Sequence, residues 1–288
     1  MTFEFLEPRS LAEAITLLDT DDSSVRAFSG GTALMLMMKS AVFSPTRLVS
    51  LGQVEARYSG IVPGSDGGLA IGALASLSSI ENSAEVIRLA PTLSRVMKRL
   101  SNVRVRNVAR IGGNLAHGDP HMDLPPTLCA LRAEIVTRGP SGQRRLALED
   151  FFSGYYETVL QQGELIAEVA VPSQSGWSSS YSKITTRTYD DWPALGVAVS
   201  VKTKGDIVAD CRIVVSAATE KLTRLTAAEA ALRGQPAGHA AFLCAGEAAA
   251  TEAETIDDAR GSAAYKTDLL RIHVRRALQT AVDAGIQP

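Results

Sequence analysis

Apolar positions change their spacing several times along the chain, and each change marks an element. In residues 11–18, Leu11, Ala14, Ile15 and Leu18 recur on one helical face, behind Ser10 and Glu13 spaced as a capping box. Arg26-Ala27-Phe28 predicts a short strand, which runs into Ser29-Gly30-Gly31-Thr32 and then a second helical pattern over residues 33–39. A glycine pair therefore lies between a strand and a helix N-terminus. Residues 47–50 and 69–71 predict strands, separated by the turn-forming residues 63–68. Helical patterns follow at 78–82 and 90–100, and residues 102–110 alternate up to a second glycine pair in Ile111-Gly112-Gly113-Asn114. Asp123-Leu124-Pro125-Pro126 predicts a helix over 127–131, with Asp123 as its N-cap and proline in its first turn.

Residues 134–137 and 165–171 are strand-like, and Pro172-Ser173-Gln174-Ser175-Gly176 has the composition of a linker. Beyond it, residues 180–185, 195–202 and 207–217 predict a three-stranded meander. Helices are expected at 225–233 and 263–284, the last starting behind Ser262 and stopping at Gly285. Residues 237–253 form an alanine-rich tract of low complexity. The mixture predicts an α+β protein with domains over 1–175 and 176–288.

Composition narrows the class. The 288 residues are 45% apolar with a net charge of −2, and mean hydropathy is +0.07. Such a chain can form a packed core and carries no global signal for nucleic acid or an anionic membrane. Cys129, Cys211 and Cys244 show no C-x₂-C spacing, so no zinc or iron–sulfur ligand set and no other metal site is expected on this chain. The N-terminus lacks the pattern of a signal peptide, and residues 33–38 are too short to span a bilayer. A cytoplasmic protein without membrane insertion is expected. Between Glu85 and Asp119 there is no acidic residue, while Arg88, Arg95, Lys98, Arg99, Arg104, Arg106 and Arg110 fall inside. This run fits a solvated face, a positive field over the second glycine pair, or a docking surface for an acidic partner.

A backbone without Cβ can turn its N–H groups toward a ligand at close range, and a helix starting there strengthens an anion site. Ser29-Gly30-Gly31-Thr32 has that setting, and Ile111-Gly112-Gly113-Asn114 adds a second loop. Taken singly, such pairs are more often tight turns. Neither belongs to a G-x-G-x-x-G unit, and no P-loop motif is present.

Ser29-Gly30-Gly31-Thr32-Ala33-Leu34 with Met38-Lys39 resembles the first cofactor loop of the FAD-binding medium subunits of molybdenum hydroxylases, the xanthine dehydrogenase and carbon monoxide dehydrogenase family. The stretch Ala109-Arg110-Ile111-Gly112-Gly113-Asn114, continuing to Asp119-Pro120 and Asp123-Leu124-Pro125, resembles its second loop. Tyr181, Lys183, Arg187 and Asp190 resemble a strand of its C-terminal domain, and Gly261 to Lys266 with Arg275-Arg276 resemble its closing helix. The resemblance implies a two-part FAD-binding domain of the vanillyl-alcohol-oxidase/MurB type, split near residues 55–60, followed by a C-terminal α+β domain.

By the same resemblance, the backbones of Ser29, Gly30, Gly31, Thr32 and Ala33 and of Ile111, Gly112, Gly113 and Asn114 would grip the FAD pyrophosphate. Asp123 would bind the adenosine part, and Leu165, Ile166 and Lys183 would lie near the flavin ring. Without the family, Asp123 is a helix cap and Lys183 a solvated lysine. Arg110 departs from the family's serine or threonine, and either pairs with a phosphate or points away. Trp192 stands where relatives often carry tyrosine, as a ring-covering residue or as core. No catalytic side chain is expected. The implied function is electron transfer, with molybdopterin-type molybdenum on a large partner subunit and two [2Fe–2S] clusters on a small one, in a dimer of heterotrimers. Two alternatives are a self-contained flavin oxidase or reductase, with His117 or His121 as base, and a scaffold that has lost the flavin.

Overall fold

The computed structural model of the chain describes residues 2–286. Its first subdomain is a small parallel sheet with two helices: β1 (Glu4–Leu6), α1 (Leu11–Leu18), β2 (Val25–Phe28), α2 (Thr32–Lys39) and β3 (Arg47–Ser50), with β3 between the other two strands. Ser10 caps α1 by accepting from the Glu13 N–H at 3.1 Å. The Glu13 carboxylate accepts in turn from Arg9 N–H at 2.9 Å, one residue ahead of the usual capping-box donor. Leu11 and Ala14 then pack against Val25, Val49 and Leu51.

The second subdomain is an antiparallel sheet backed by short helices. After a 3₁₀ turn at Ala56–Ser59 come β4 (Ile61–Pro63) and β5 (Leu69–Gly72). Six helices follow: α3 (Leu77–Asn82), α4 (Ala84–Leu89), α5 (Pro91–Met97), α6 (Val103–Val108), α7 (Ile111–Ala116) and α8 (Leu124–Ala130). The chain returns through β6 (Glu134–Gly139), β7 (Gly142–Ala147), the hairpin of β8 (Phe152–Gly154) and β9 (Glu157–Thr158), and β10 (Leu165–Val171). Strand order is β4-β5-β10-β6-β7, which puts β10 at the centre. Ile166 and Val169 of β10 enter the main core, whereas Leu165 and Ala167 complete the core of the first subdomain. One strand therefore serves both.

The C-terminal part is the predicted meander with one extra short strand: β11 (Ser178–Ile184), β12 (Leu195–Lys204), β13 (Ile207–Ser216) and β14 (Thr223–Arg224). One face is covered by α9 (Thr226–Leu232), α10 (His239–Glu252) and α11 (Ala263–Ile286). The other face places Ala198 and Val214 in the core of the second subdomain.

Four local expectations change. The alternating residues 102–110 form α6, a helix that buries none of its residues. Hydrogen bonds decide this segment instead: Asn102 accepts from Val105 N–H at 3.1 Å, and Arg106 donates to the Leu100 and Ser101 carbonyls at 3.3 and 2.7 Å. The alanine-rich tract is the ordered helix α10, whose small residues let α11 approach: a Cβ on Gly246 would stand 2.5 Å from the Arg271 carbonyl oxygen. The last helix runs through Gly285 to Ile286, and that glycine serves close packing, since a Cβ there would overlap Ser178 Oγ. Asp123 precedes α8 with helical dihedrals and makes no side-chain cap, because its carboxylate is engaged elsewhere. No helix among the described residues is long and apolar enough to cross a membrane.

Candidate functional site

A cleft of about 730 Å³ opens between the first two subdomains. Ser29, Gly30, Gly31, Thr32, Ala33, Arg110, Gly112, Gly113, Asn114, Leu165 and Ile166 line it, whereas Ile111, Asp123, Lys183 and Trp192 do not.

The first glycine loop turns β2 into α2. Gly31 has φ 68° and ψ 0°, the left-handed region where a side chain is disfavoured. The first intrahelical bond of α2 runs from Met35 N–H to the Gly31 carbonyl at 2.9 Å. The N–H groups of Thr32, Ala33 and Leu34 therefore have no intrahelical acceptor, and all three residues lie on the cleft wall. Open amides and the positive end of the helix dipole suit an anion there.

The second glycine pair lies in the first turn of α7, just after α6, and is more constrained. Ile111 N–H donates to the Ala75 carbonyl at 3.1 Å and Gly112 N–H to the Ala73 carbonyl at 2.8 Å, so these two amides are held by the end of β5. Ile111 is fully buried. Gly113 is the loop's open position, where a Cβ would meet only Ser29 Oγ, at 3.2 Å. Asn114 donates to Met122 Sδ at 3.3 Å, while its buried Oδ1 has no partner. The two loops touch through backbone: a Cβ on Gly30 would overlap the Val108 carbonyl oxygen and stand 2.8 Å from Ala109 Cα.

Arg110 is half-buried on the cleft wall and forms no ion pair among the described residues. Leu165 and Ile166 add apolar surface. The preceding turn is fixed by buried Glu164, whose carboxylate accepts from Arg144 Nε at 2.8 Å and from Gln161 N–H at 2.8 Å. Burial pushes that carboxyl up, but these hydrogen bonds outweigh it and hold the group ionised. Sequence reading missed Glu164 and Arg144, because partners 20 residues apart carry no local pattern.

Asp123 and Lys183 are brought together behind the wall. The Asp123 carboxylate accepts from Tyr181 Oη at 2.6 Å and Lys183 Nζ at 2.9 Å, and Lys183 also donates to the Arg99 carbonyl at 3.1 Å. The lysine side chain is only 3% exposed, which rules out the solvated surface lysine. Burial pushes the Asp123 carboxyl up against the pull of Lys183 and Tyr181. Trp192 is 45% exposed, with the Arg260 guanidinium 5.6 Å from its ring, so it is not a core residue.

The two histidines differ. His117 lies on the cleft wall, edge-on to Tyr156 at 5.2 Å, and burial lowers its pKa. His121 is buried outside the cleft, with Nδ1 3.0 Å from Asp119 and Nε2 3.0 Å from Asp258. Asp258 also pairs with buried Lys266 at 2.8 Å. This arrangement locks His121 between both parts of the chain and away from any cleft ligand.

The cleft's size, its unpaired cation, its open amides and the orphaned Asn114 Oδ1 fit a dinucleotide with a pyrophosphate bridge. Comparison with known proteins agrees. Residues 1–174 match the FAD binding domain in molybdopterin dehydrogenase, and residues 180–281 match the CO dehydrogenase flavoprotein C-terminal domain. The carbon monoxide dehydrogenase medium chain of Hydrogenophaga pseudoflava is 32% identical over 282 residues, covering 97% of this chain and 96% of that one. The nicotine 6-hydroxylase medium subunit of Paenarthrobacter nicotinovorans is 31% identical, covering 98% and 96%. A solved structure of the Hydrogenophaga carbon monoxide dehydrogenase, lacking the Mo-pyranopterin moiety, superposes with a TM-score of 0.94 at 33% identity, over 99% of this chain and 98% of that one.

Proposed function

Since this chain belongs to the family of FAD-binding medium subunits of molybdopterin dehydrogenases, we propose that it is the electron-transfer flavoprotein of a molybdenum hydroxylase complex. A large partner subunit would hold the molybdenum cofactor and a small one two [2Fe–2S] clusters, in a dimer of heterotrimers in the cytoplasm. The domains would divide at residues 175/176. Bound FAD supplies the capacity to take electrons from one-electron donors and release them to an external acceptor.

The carrying observation is the pair of glycine loops that meet at Gly30 and leave Arg110 unpaired and Asn114 Oδ1 unsatisfied on one cleft. In this reading, the amides of Thr32, Ala33 and Leu34 and of Gly113 receive the pyrophosphate, with Arg110 as its counter-charge. Ile111 and Gly112 contribute by position, holding the loop on Ala73 and Ala75. Leu165 and Ile166 exclude water beside the ring. Asp123 and Lys183 act from behind the wall, where they fix the segment that carries Met122, and Trp192 covers an outer edge.

The test is spectroscopic. The full chain purified alone, and the complex purified from its source, should show flavin absorption and release FAD on denaturation. The complex should add iron–sulfur absorption and molybdenum. A chain that is colourless alone and in complex refutes the proposal. Turnover of an organic substrate by the isolated, FAD-loaded chain would favour a self-contained oxidase instead.

A further inference from the structure

His121 sits in the turn between α7 and α8, with its ring buried and both ring nitrogens facing carboxylates. Asp119 Oδ1 stands 3.0 Å from Nδ1 and also accepts the His121 backbone N–H at 2.9 Å. Asp258 Oδ2, from the loop between α10 and α11, stands 3.0 Å from Nε2. An ionised carboxylate only accepts hydrogen bonds, whereas a neutral imidazole has one N–H and one lone pair. With a neutral ring, one of the two contacts therefore sets a lone pair against an anion. Both become hydrogen bonds only when the ring carries two protons.

The surrounding groups leave that role to the ring. Lys266 Nζ lies 2.8 Å from Asp258 Oδ2 and donates to the Ala217 carbonyl at 3.0 Å. Arg260 reaches Asp258 through its backbone N–H at 2.8 Å, while its guanidinium faces Trp192. Tyr156 hydrogen-bonds to Asp119, and burial beside that carboxylate pushes its phenol well up. His117 also feels Asp119, but burial lowers its pKa. Burial pushes the Asp119 carboxyl up, yet its bonds from His121 prevail and bring it below the usual value. In the same contest at Asp258, Lys266 and His121 win. Two carboxylates thus face two cations, Lys266 and a doubly protonated His121.

The turn that carries His121 also forms part of the cleft. His117 and Met122 line it, and Met122 Sδ accepts at 3.3 Å from Asn114, the residue with the orphaned Oδ1. On its other side the turn is tied to the C-terminal part. Ala217 N–H donates to the Pro120 carbonyl at 2.9 Å, one residue before the His121 bridge.

We propose that His121 is a positioning residue: doubly protonated, it clamps the 117–122 turn of the cofactor cleft to the C-terminal part, and loss of one proton as pH rises releases the clamp and weakens FAD binding. The proposal rests on the reading of the cleft as an FAD site. The clamped form holds one proton more than the released form, so rising pH favours release.

The experiment uses the full chain labelled with ¹⁵N-histidine, the His121 ring being assigned through its backbone resonances. Near neutral pH both of its ring nitrogens should carry protons, and a ring with a single N–H would overturn the proposal. FAD affinity is then titrated from about pH 6 to about pH 9 for the wild type and for His121→Gln, whose amide cannot donate from two opposite ends. At the acid end the variant should bind roughly 2- to 30-fold more weakly. The gap should close as pH rises, over the range in which the wild-type ring loses its second proton. His117 is common to both proteins and cancels in the ratio. A gap that stays constant with pH, or equal affinities throughout, would overturn the clamp while leaving the cofactor reading intact. A wild-type chain that binds no FAD at any pH would instead sink the cofactor reading, and this proposal with it.

Discussion

Two glycine-to-alanine substitutions, one in each glycine pair of the same cleft, should have opposite thermodynamic signatures. At Gly30 the added methyl overlaps the Val108 carbonyl oxygen and comes within 2.8 Å of Ala109 Cα, and both neighbours are backbone that cannot rotate away. Overpacking of this kind costs about 1–3 kcal/mol. For a chain of this size that lowers the melting temperature by roughly 2–12 °C, and it pushes the two loops apart. At Gly113 the methyl meets only Ser29 Oγ at 3.2 Å, a hydroxyl that can turn. Because Gly113 sits inside α7, alanine there should be neutral or add up to about 1 kcal/mol of stability. In the proposed FAD site the same methyl would occupy the open face toward the pyrophosphate, where the loss of a charge-assisted contact of about 1.5–3 kcal/mol should weaken FAD binding roughly 10- to 100-fold. Thermal melts of the apo chain and fluorescence titration with FAD separate the two. Gly113→Ala with wild-type FAD affinity would refute the assignment of that face to the pyrophosphate. Gly30→Ala with unchanged melting and affinity would refute the backbone contact between the loops.

Arg110→Met should weaken FAD binding about 10- to 100-fold and reduce its dependence on salt, with Arg110→Lys between; titrations at two ionic strengths check both. Lys266→Met leaves Asp258 without its buried cation and should cost about 3–5 kcal/mol in denaturant unfolding. Burial pushes the Asp258 carboxyl up, yet hydrogen bonds from Lys266 and His121 prevail and bring it down to about 2. Its folded pKa lies below the unfolded value near 3.8, so its contribution is full above that pH and lost as pH falls toward about 2. Asp258→Asn should therefore lower stability at neutral pH and flatten the unfolding profile across that acid range.

What was legible in the sequence was local. Ser10 and Glu13 announced α1, residues 165–171 matched β10, and the three long strands of the meander appeared within a few residues of their bounds. The first glycine loop was visible because a strand, a glycine pair and a helical pattern are adjacent in the chain, whereas the second was visible only as a glycine pair, the six-residue helix that contains it being too short to show an apolar pattern of its own. Short elements held by distant partners were not. β1 pairs with β3 across 43 residues, and β7 carries the exposed, charged run Gln143-Arg144-Arg145, which has no apolar alternation. The same limit hid the site's outer layer. Glu164 finds Arg144, and Asp123 finds Tyr181 and Lys183, only after the sheets have formed. The composition of residues 102–110 suggested extended chain because it alternates. Side-chain bonds to the backbone overrode that pattern.

Strand β10 also sets an order of events during synthesis. It leaves the ribosome after every other element of residues 1–171, yet it is the strand between β5 and β6. Until it emerges, β5 and β6 each present an open edge, and the first subdomain lacks Leu165 and Ala167 from its core. The nascent chain thus carries two unfinished halves rather than one finished domain. Leu165 and Ile166 arrive with the same strand, so the cleft closes in the step that completes both cores. Cofactor supplied at that moment binds only the finished form and draws the chain toward it by mass action. Cells short of flavin should accordingly hold a smaller folded share of this subunit than flavin-replete cells.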